Sequence, residues 1–150
     1  MTETLPTALR PRRFDDVLGQ EHAVRYLSGL ILRGRIGRHV LLHGTVGSGK
    51  TTLARIYGQA LVCEGQLGED GSPCGSCDAC VRVQDEADDS GFYEYDVPGD
   101  GGEAEAIEKW LEERRFKAQH LPRRVLFFDE AHGLTKDASS GLLKKVEEAP

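Results

Sequence analysis

The sequence has no long hydrophobic run: no apolar stretch in its 150 residues approaches the roughly 18 residues that a membrane-spanning helix needs. Its first residues lack the apolar core of a secretory signal, and the early Glu3 does not suit a transit peptide. We therefore expect a cytoplasmic protein with no membrane partner. Hydrophobic residues still make up 39% of the chain, enough for one domain to bury a core without disulfides.

Positive charge is scarce in the middle of the chain. Residues 64–108 contain one Lys or Arg and fourteen Asp or Glu, a net charge of -13, whereas residues 1–62 contain nine and four. A segment this acidic would repel a phosphate backbone, so any contact with nucleic acid is expected elsewhere. We interpret the segment as a solvated, mobile insertion, and an acidic docking surface is the alternative.

Hydrophobic periodicity predicts alternating helices and strands. Apolar residues recur at helical spacing in residues 22–33, 53–61 and 104–111 and in the segment after Thr135. Gly34 is the predicted C-terminal cap of the first helix, the second follows a glycine-rich turn, and Thr135 is the predicted N-cap of the last. Short apolar runs predict strands at residues 39–43, 92–97 and 124–129, the last buried on both faces of a parallel sheet. Residues 99–102 are predicted as a hinge and residues 64–90 as a polar loop. This order predicts an α/β fold with right-handed crossovers.

Residues 44–51 have the pattern G-x-x-x-x-G-K-T between a predicted strand and a predicted helix. Glycines allow successive backbone N–H groups to converge on phosphate oxygens at a helix N-terminus. Lys50 is expected to reach the β- and γ-phosphates of a nucleotide, and the Thr51 hydroxyl to bind magnesium. The predicted phosphate-binding residues are Gly44, Thr45, Val46, Gly47, Ser48, Gly49, Lys50, Thr51 and Thr52.

Two carboxylates follow four apolar residues at the end of the predicted strand at 124–129. Ligands of open α/β sheets bind at this edge, so Asp129 is expected to hold magnesium through its water shell. Glu130 is expected to polarise the water that attacks the γ-phosphate, which makes Glu130 and Lys50 the predicted catalytic residues. His132 could sense the nucleotide or cap the turn, and the sequence leaves both roles open.

The four cysteines follow the pattern C-x10-C-x2-C-x2-C, with Cys63, Cys74, Cys77 and Cys80 as the predicted metal ligands. Disulfides are not expected in a cytoplasmic chain, and two-residue spacers let neighbouring thiolates converge on one tetrahedral ion. A closed structural zinc site is our interpretation, and an iron–sulfur cluster or four reduced cysteines are the alternatives. Zinc would order a hydrophilic loop that apolar packing would not hold.

These residues together resemble a known family, the γ/τ subunits of bacterial DNA polymerase III, which are AAA+ ATPases and the motors of clamp loaders. The matching segments are residues 9–20, Cys63 with residues 73–80, residues 129–135 and residues 142–150. The chain departs from the family pattern at Val46, at Leu9 and in residues 97–102, where relatives have an arginine, a tyrosine and a segment rich in alanine, serine and asparagine.

The resemblance implies an AAA+ P-loop NTPase fold, a parallel sheet with flanking helices, over residues 1–150, with a zinc-binding insertion at residues 63–90. It also implies that Arg10, Pro11, Val17 and Leu18 lie along the adenine of ATP. The family's first sensor, its trans-acting arginine and its helical lid would follow Pro150.

The function that the resemblance implies is hydrolysis of ATP, with Mg²⁺ and Zn²⁺ as cofactors, to load a sliding clamp on primed DNA. The implied partners are the other clamp-loader subunits, the sliding clamp and primed DNA, and activity is expected only in the complete oligomeric assembly. Two alternatives remain: a non-hydrolysing, nucleotide-dependent assembly subunit, and an AAA+ remodelling ATPase of a mobile element.

Overall fold

A computed structural model describes residues 10–36, 39–87, 89–117 and 123–148. The α-helices in these ranges are α1 (Glu21–Leu32), α2 (Lys50–Val62), α3 (Asp78–Gln84), α4 (Val97–Asp100), α5 (Ala104–Lys117) and α6 (Lys136–Glu148). The strands are β1 (Phe92–Asp96) and β2 (Val125–Asp129), and 3-10 turns lie at Phe14–Asp16 and Ala131–Gly133. None of the helices in the described ranges is long and apolar enough to cross a membrane.

Local signals set the helix ends that the sequence predicts. After α1, Gly34 adopts φ 63°, and its N–H donates to the Ile31 carbonyl at 3.0 Å while the Arg35 N–H donates to the Leu30 carbonyl at 2.9 Å. This is the paired closing bond of a Schellman motif. Before α6, the Thr135 hydroxyl accepts the Ala138 N–H at 3.3 Å, as an N-cap should.

The sheet consists of two parallel strands in the described part of the chain, with Phe92 opposite Val125 and Asp96 opposite Asp129. Alternation along β1 turns Tyr93 and Tyr95 toward α5 and α6, where they join a buried cluster with Trp110. The Tyr95 and Trp110 rings meet edge to face at 5.1 Å. Trp110 is 8% exposed and belongs to this core.

A second core lies between the N-terminal 3-10 turn, α1 and α2. Its members are fully or almost fully buried: Phe14, Leu27, Leu30, Ile31, Leu53, Ile56, Tyr57 and Ala60. Helix α2 also packs on the sheet, and Gly58 lets it approach closely. A Cβ atom at Gly58 would overlap Cε2 of Phe92, so a side chain there requires a shift of the ring or the helix.

Some elements differ from the prediction. Residues 39–43 contain no regular secondary structure, because a strand requires a hydrogen-bonded neighbour and the described sheet has none beside them. Strand β2 is not buried on both faces, since Leu126 is 43% exposed. The predicted loop at residues 64–90 contains α3, and the predicted hinge at residues 99–102 begins within α4. The α/β class with a parallel sheet is confirmed. Leu9, Ala149 and Pro150 of the matching segments lie outside the described residues.

Candidate functional site

The glycine-rich loop leads into the N-terminus of α2. Gly49 is the N-cap residue and adopts φ 88°, and Gly47 adopts φ 77°, a region in which a side chain would be strained. Lys50 is the first residue of the helix, and its Nζ donates to the carbonyls of Gly44 at 3.0 Å and Thr45 at 2.8 Å. The ammonium therefore lies over the start of the loop, at the end of a helix whose dipole favours anions.

The next residue links the loop to the sheet. The Thr51 hydroxyl donates to Asp129, at 2.9 Å from Oδ2 and 3.2 Å from Oδ1, although 78 positions separate the two residues. Asp129 is the last residue of β2, and its Oδ1 also accepts the Glu130 N–H at 3.0 Å. The two side chains predicted to bind magnesium thus meet at the carboxyl edge of the strand, beside Lys50. Oxygen ligands of this kind suit a hard divalent cation.

Glu130 follows with an unusual backbone. Its φ of 52° and ψ of 42° are left-handed, which is uncommon for a residue other than glycine and occurs often at functional sites. Its Oε2 lies 3.1 Å from Nδ1 of His132, a side chain that is 79% exposed. The geometry therefore joins the predicted catalytic carboxylate to the histidine whose role the sequence left open.

An ion pair that the sequence did not reveal supports the same region. Arg55, one turn after Thr51 on α2, donates from Nε and Nη2 to the two carboxylate oxygens of Glu94 on β1, both at 2.7 Å. Burial opposes the charge, but Glu94 and nearby carboxylates including Asp129 raise the pKa of Arg55. Asp96 lies beside Asp129 in the sheet register and adds a carboxylate at the same edge. Residues 39 positions apart leave no local signature of such a pair.

The other predicted nucleotide-binding residues differ in their exposure. Val46 and Leu18 are 90% and 91% exposed, and Val17 packs against the core that contains Phe14. Arg10 and Pro11 line a groove beside Arg55 on α2. The structure therefore brings together the loop, Thr51, Asp129 and Glu130, and within the described part of the chain it shows no hydrogen bond between these residues and the four predicted to lie along adenine.

The four cysteines form one cluster. Their Sγ atoms all lie within 4.8 Å of one another. The Sγ atoms of Cys63 and Cys77 are 3.9 Å apart and those of Cys74 and Cys80 are 4.0 Å apart. These separations exceed the roughly 2.05 Å of a disulfide and are close to the about 3.8 Å edge of a tetrahedron with Zn–S bonds of about 2.3 Å. The donor set therefore fits a tetrahedral zinc ion.

The thiols lie in a hydrogen-bonding environment suited to thiolates. Each of three Sγ atoms accepts a backbone N–H: Cys63 from Cys74 at 3.5 Å, Cys74 from Cys77 at 3.4 Å, and Cys77 from Cys80 at 3.5 Å. N–H groups of Ser76 and Cys77 lower the pKa of Cys74 to about 6. Burial raises the pKa of Cys63 and also that of Cys80, which is 0% exposed, so without a metal these two thiols resist deprotonation.

A glycine-rich loop at a helix N-terminus, facing a hydroxyl–carboxylate pair at the end of a parallel strand, is typical of α/β proteins that bind phosphate groups. Residues 19–150 match the model of a family described as DNA polymerase III, delta subunit. The chain belongs to this family of DNA polymerase III subunits, and the resemblance to the γ/τ subunits is confirmed by its curated relatives.

Three relatives illustrate the match. DNA polymerase III subunit gamma/tau of Mycobacterium tuberculosis (strain ATCC 25618 / H37Rv) is 40% identical over 94% of this chain and 24% of its own length. Subunit gamma of Buchnera aphidicola subsp. Baizongia pistaciae is 35% identical over 94% of the chain and 37% of its length. Subunit tau of Escherichia coli (strain K12) is 33% identical over 99% of this chain and 22% of its own length. The chain thus spans between about a fifth and two fifths of the relatives' lengths.

Proposed function

We propose that this chain binds magnesium ATP at residues 44–52 and Asp129 and hydrolyses it as part of a DNA polymerase III clamp-loading motor. The observation that carries the proposal is the contact of Thr51 with Asp129. It brings a loop built for phosphate and a strand-end carboxylate to one place, where a phosphate-bound Mg²⁺ would need both. The names of the relatives support the replication assembly as the setting.

Each side chain then has a distinct role. Loop N–H groups and the Lys50 ammonium would neutralise the phosphates, and Mg²⁺, when bound by Thr51 and Asp129, would withdraw charge from the β- and γ-oxygens. Glu130 would accept a proton from the attacking water as its oxygen bonds to the γ-phosphorus and ADP leaves. Because Glu130 already contacts His132, this histidine would orient the carboxylate. Sliding-clamp placement on primed DNA would use the energy released.

The cysteine cluster is proposed to hold structural zinc. Four thiolates fill all ligand positions of a tetrahedral ion, so zinc would supply folding energy rather than chemistry. The separation of the cluster from the phosphate loop by helix α2, which ends at Val62 just before Cys63, supports this division of roles.

A pair of variants tests the assigned roles. Lys50→Ala should abolish nucleotide binding, because it removes the positive charge that the loop offers to the β- and γ-phosphates. Glu130→Gln should preserve binding and remove hydrolysis, since the amide keeps the size of the side chain but is a poor proton acceptor. Nucleotide-binding titration and single-turnover hydrolysis distinguish the two. Equal loss of binding in both variants would show that the roles are wrong.

A non-hydrolysing assembly subunit is the second candidate. If His132 holds the Glu130 carboxylate away from water instead of orienting it for catalysis, the contact between the two side chains favours this second candidate. Single-turnover hydrolysis within the full assembly decides between them: His132→Ala should slow hydrolysis if the histidine orients Glu130, and should permit hydrolysis that the wild type lacks if the histidine obstructs it. Hydrolysis by the wild-type assembly that Glu130→Gln removes would exclude the second candidate.

A further inference from the structure

The first part of the cysteine insertion docks on the N-terminal half of the molecule. Residues 68–72 form a tight turn, in which the Gly71 N–H donates to the Gly68 carbonyl and the Gly68 N–H to the Ser72 carbonyl, both at 2.9 Å. Leu67 packs against the core that contains Phe14. A Cβ atom at Gly71 would lie 3.3 Å from the Ser28 carbonyl of α1, so the turn sits directly on that helix.

Asp70 and Ser72 of this turn receive hydrogen bonds from residues 13–15. The Phe14 N–H donates to the Ser72 hydroxyl at 2.8 Å, and the Asp15 N–H donates to Asp70 Oδ2 at 3.2 Å. The Ser72 N–H and hydroxyl donate in turn to Asp70, at 3.0 Å and 2.5 Å. Arg13 Nη2 lies 3.4 Å from Asp70 Oδ1.

Burial decides which of these contacts matter most. Ser72 is 0% exposed and Phe14 is 1% exposed, so water cannot replace the hydrogen bond between them. Arg13 is 46% exposed, and its ion pair with Asp70 is weakened by solvent. Burial opposes the charge of Asp70, but hydrogen bonds from Ser72 and Asp15 lower its pKa below the usual value. These contacts therefore stabilise the ionised form of the Asp70 side chain.

The turn is anchored at both ends by members of the cysteine cluster. Cys63 precedes it and Cys74 follows it, and the Cys74 N–H donates to the Cys63 Sγ at 3.5 Å. A metal ion bound by both thiols would fix the distance between the two ends of the loop, because ordering of ligands and of the chain between them is part of the same free energy.

We propose that Asp70 and Ser72 connect the cysteine insertion to residues 13–15 through hydrogen bonds, so that metal binding by the four cysteines orders this N-terminal segment. Only one part of this inference rests on the proposed function, namely that residues 13–15 lie beside the base of a bound nucleotide. Asp70 is then a positioning residue that acts through the backbone of Phe14 and Asp15.

Amide hydrogen exchange in the full-length protein tests the support directly. Asp70→Ala and Ser72→Ala should each speed exchange of the Phe14 and Asp15 amides by about tenfold, because these amides lose their acceptors or the group that orients them. Glu69→Ala, an exposed neighbour with the same change of charge, should leave both amides unchanged. Amides of α1, such as Leu30, serve as the folding control. Unchanged exchange at Phe14 and Asp15 in both test variants would overturn the proposal.

Removal of the metal tests the coupling. Cys77→Ser, or chelation of zinc from the wild type, should speed exchange at Phe14 and Asp15, whereas Asp70→Ala should keep about one zinc per chain by elemental analysis. Metal loss with full protection of both amides would refute the coupling.

Ligand binding separates this inference from the proposed function. Asp70→Ala should weaken ATP several-fold relative to inorganic triphosphate, while triphosphate affinity stays that of the wild type, since the phosphate loop is untouched. If the ratio of ATP affinity to triphosphate affinity were equal in Asp70→Ala and Glu69→Ala, Asp70 would have no effect on binding of the base, and this part of the proposal would be overturned. If the wild type binds neither ligand, the proposed function fails, and the exchange results alone then decide the structural coupling.

Discussion

Replacement of Thr51 by valine removes one hydroxyl and keeps the shape of the side chain. That hydroxyl donates to Asp129 at 2.9 Å and 3.2 Å, in a half-buried position. A hydrogen bond to a charged group contributes about 1.5 to 3 kcal/mol, and partial exposure favours the lower value. Asp129 keeps the Glu130 N–H but loses the bond that holds it toward the loop. We expect a loss of about 1.5 kcal/mol in magnesium-dependent nucleotide binding, or about tenfold in Kd.

Titration of ATP with magnesium and with EDTA measures this effect in the full-length protein. Thr51→Val should bind about tenfold more weakly than the wild type with magnesium and equally without it, because only the metal needs the hydroxyl. Thr51→Ser, which keeps the oxygen, should behave as the wild type in both. An equal loss with and without magnesium would refute the reasoning, since it would assign Thr51 to the phosphates or to folding.

Two further changes test the metal module and the packing of α2. Purified protein should contain about one zinc per chain by elemental analysis, and Cys77→Ser should release it and loosen residues 64–90. ATP binding should survive in Cys77→Ser with no more than the several-fold loss expected for Asp70→Ala, as nucleotide titration would report. Iron in place of zinc, or complete loss of ATP binding with the metal, would contradict this. Gly58→Ala should destabilise the fold by about 1 to 2 kcal/mol in a urea titration, because overpacking against Phe92 exceeds the about 1 kcal/mol gain in helix propensity. Equal or greater stability of Gly58→Ala would show that the ring moves freely.

The features that the sequence predicted are those with local causes. The pattern around Gly49 and Lys50 places a loop before a helix by backbone conformation alone, and Thr135 caps α6 through a contact three residues away. The cysteine spacing likewise predicts the cluster that the four thiols form. Such features can be derived from neighbouring residues.

The features that the sequence missed depend on distant partners. Residues 39–43 are apolar enough for a strand, but a strand forms only where a neighbour offers a ladder, and none lies beside them in the described residues. Asp15 and Asp70 are 55 positions apart, and each looks like an ordinary exposed acid in the sequence. Seven-residue α3 is too short to show a helical period within a polar loop.

The unpaired segment at residues 39–43 leads to a prediction about the isolated chain. Leu41 is 86% exposed and Leu126 on β2 is 43% exposed, although both belong to apolar runs that precede site residues. In the AAA+ fold that the resemblance implies, the strand of the first sensor lies between these two runs. In the described residues neither run has a strand between it and the other, and each backbone N–H or C=O group left without a partner costs about 1 to 3 kcal/mol once buried. Total stability of a domain is only about 5 to 15 kcal/mol.

We therefore expect residues 1–150, expressed alone, to melt broadly and to show negligible steady-state ATPase activity. A chain extended toward the length of its relatives should melt cooperatively and hydrolyse ATP, because it would supply the intervening strand and the lid. A trans-acting arginine of the kind that the resemblance implies would raise turnover of the longer chain further, by a factor of about 10³ to 10⁵. Calorimetry and phosphate-release assays on the two lengths make the comparison. A sharp transition together with robust turnover by residues 1–150 would show that residues 39–43 need no further neighbour and that the topology assumed here is mistaken.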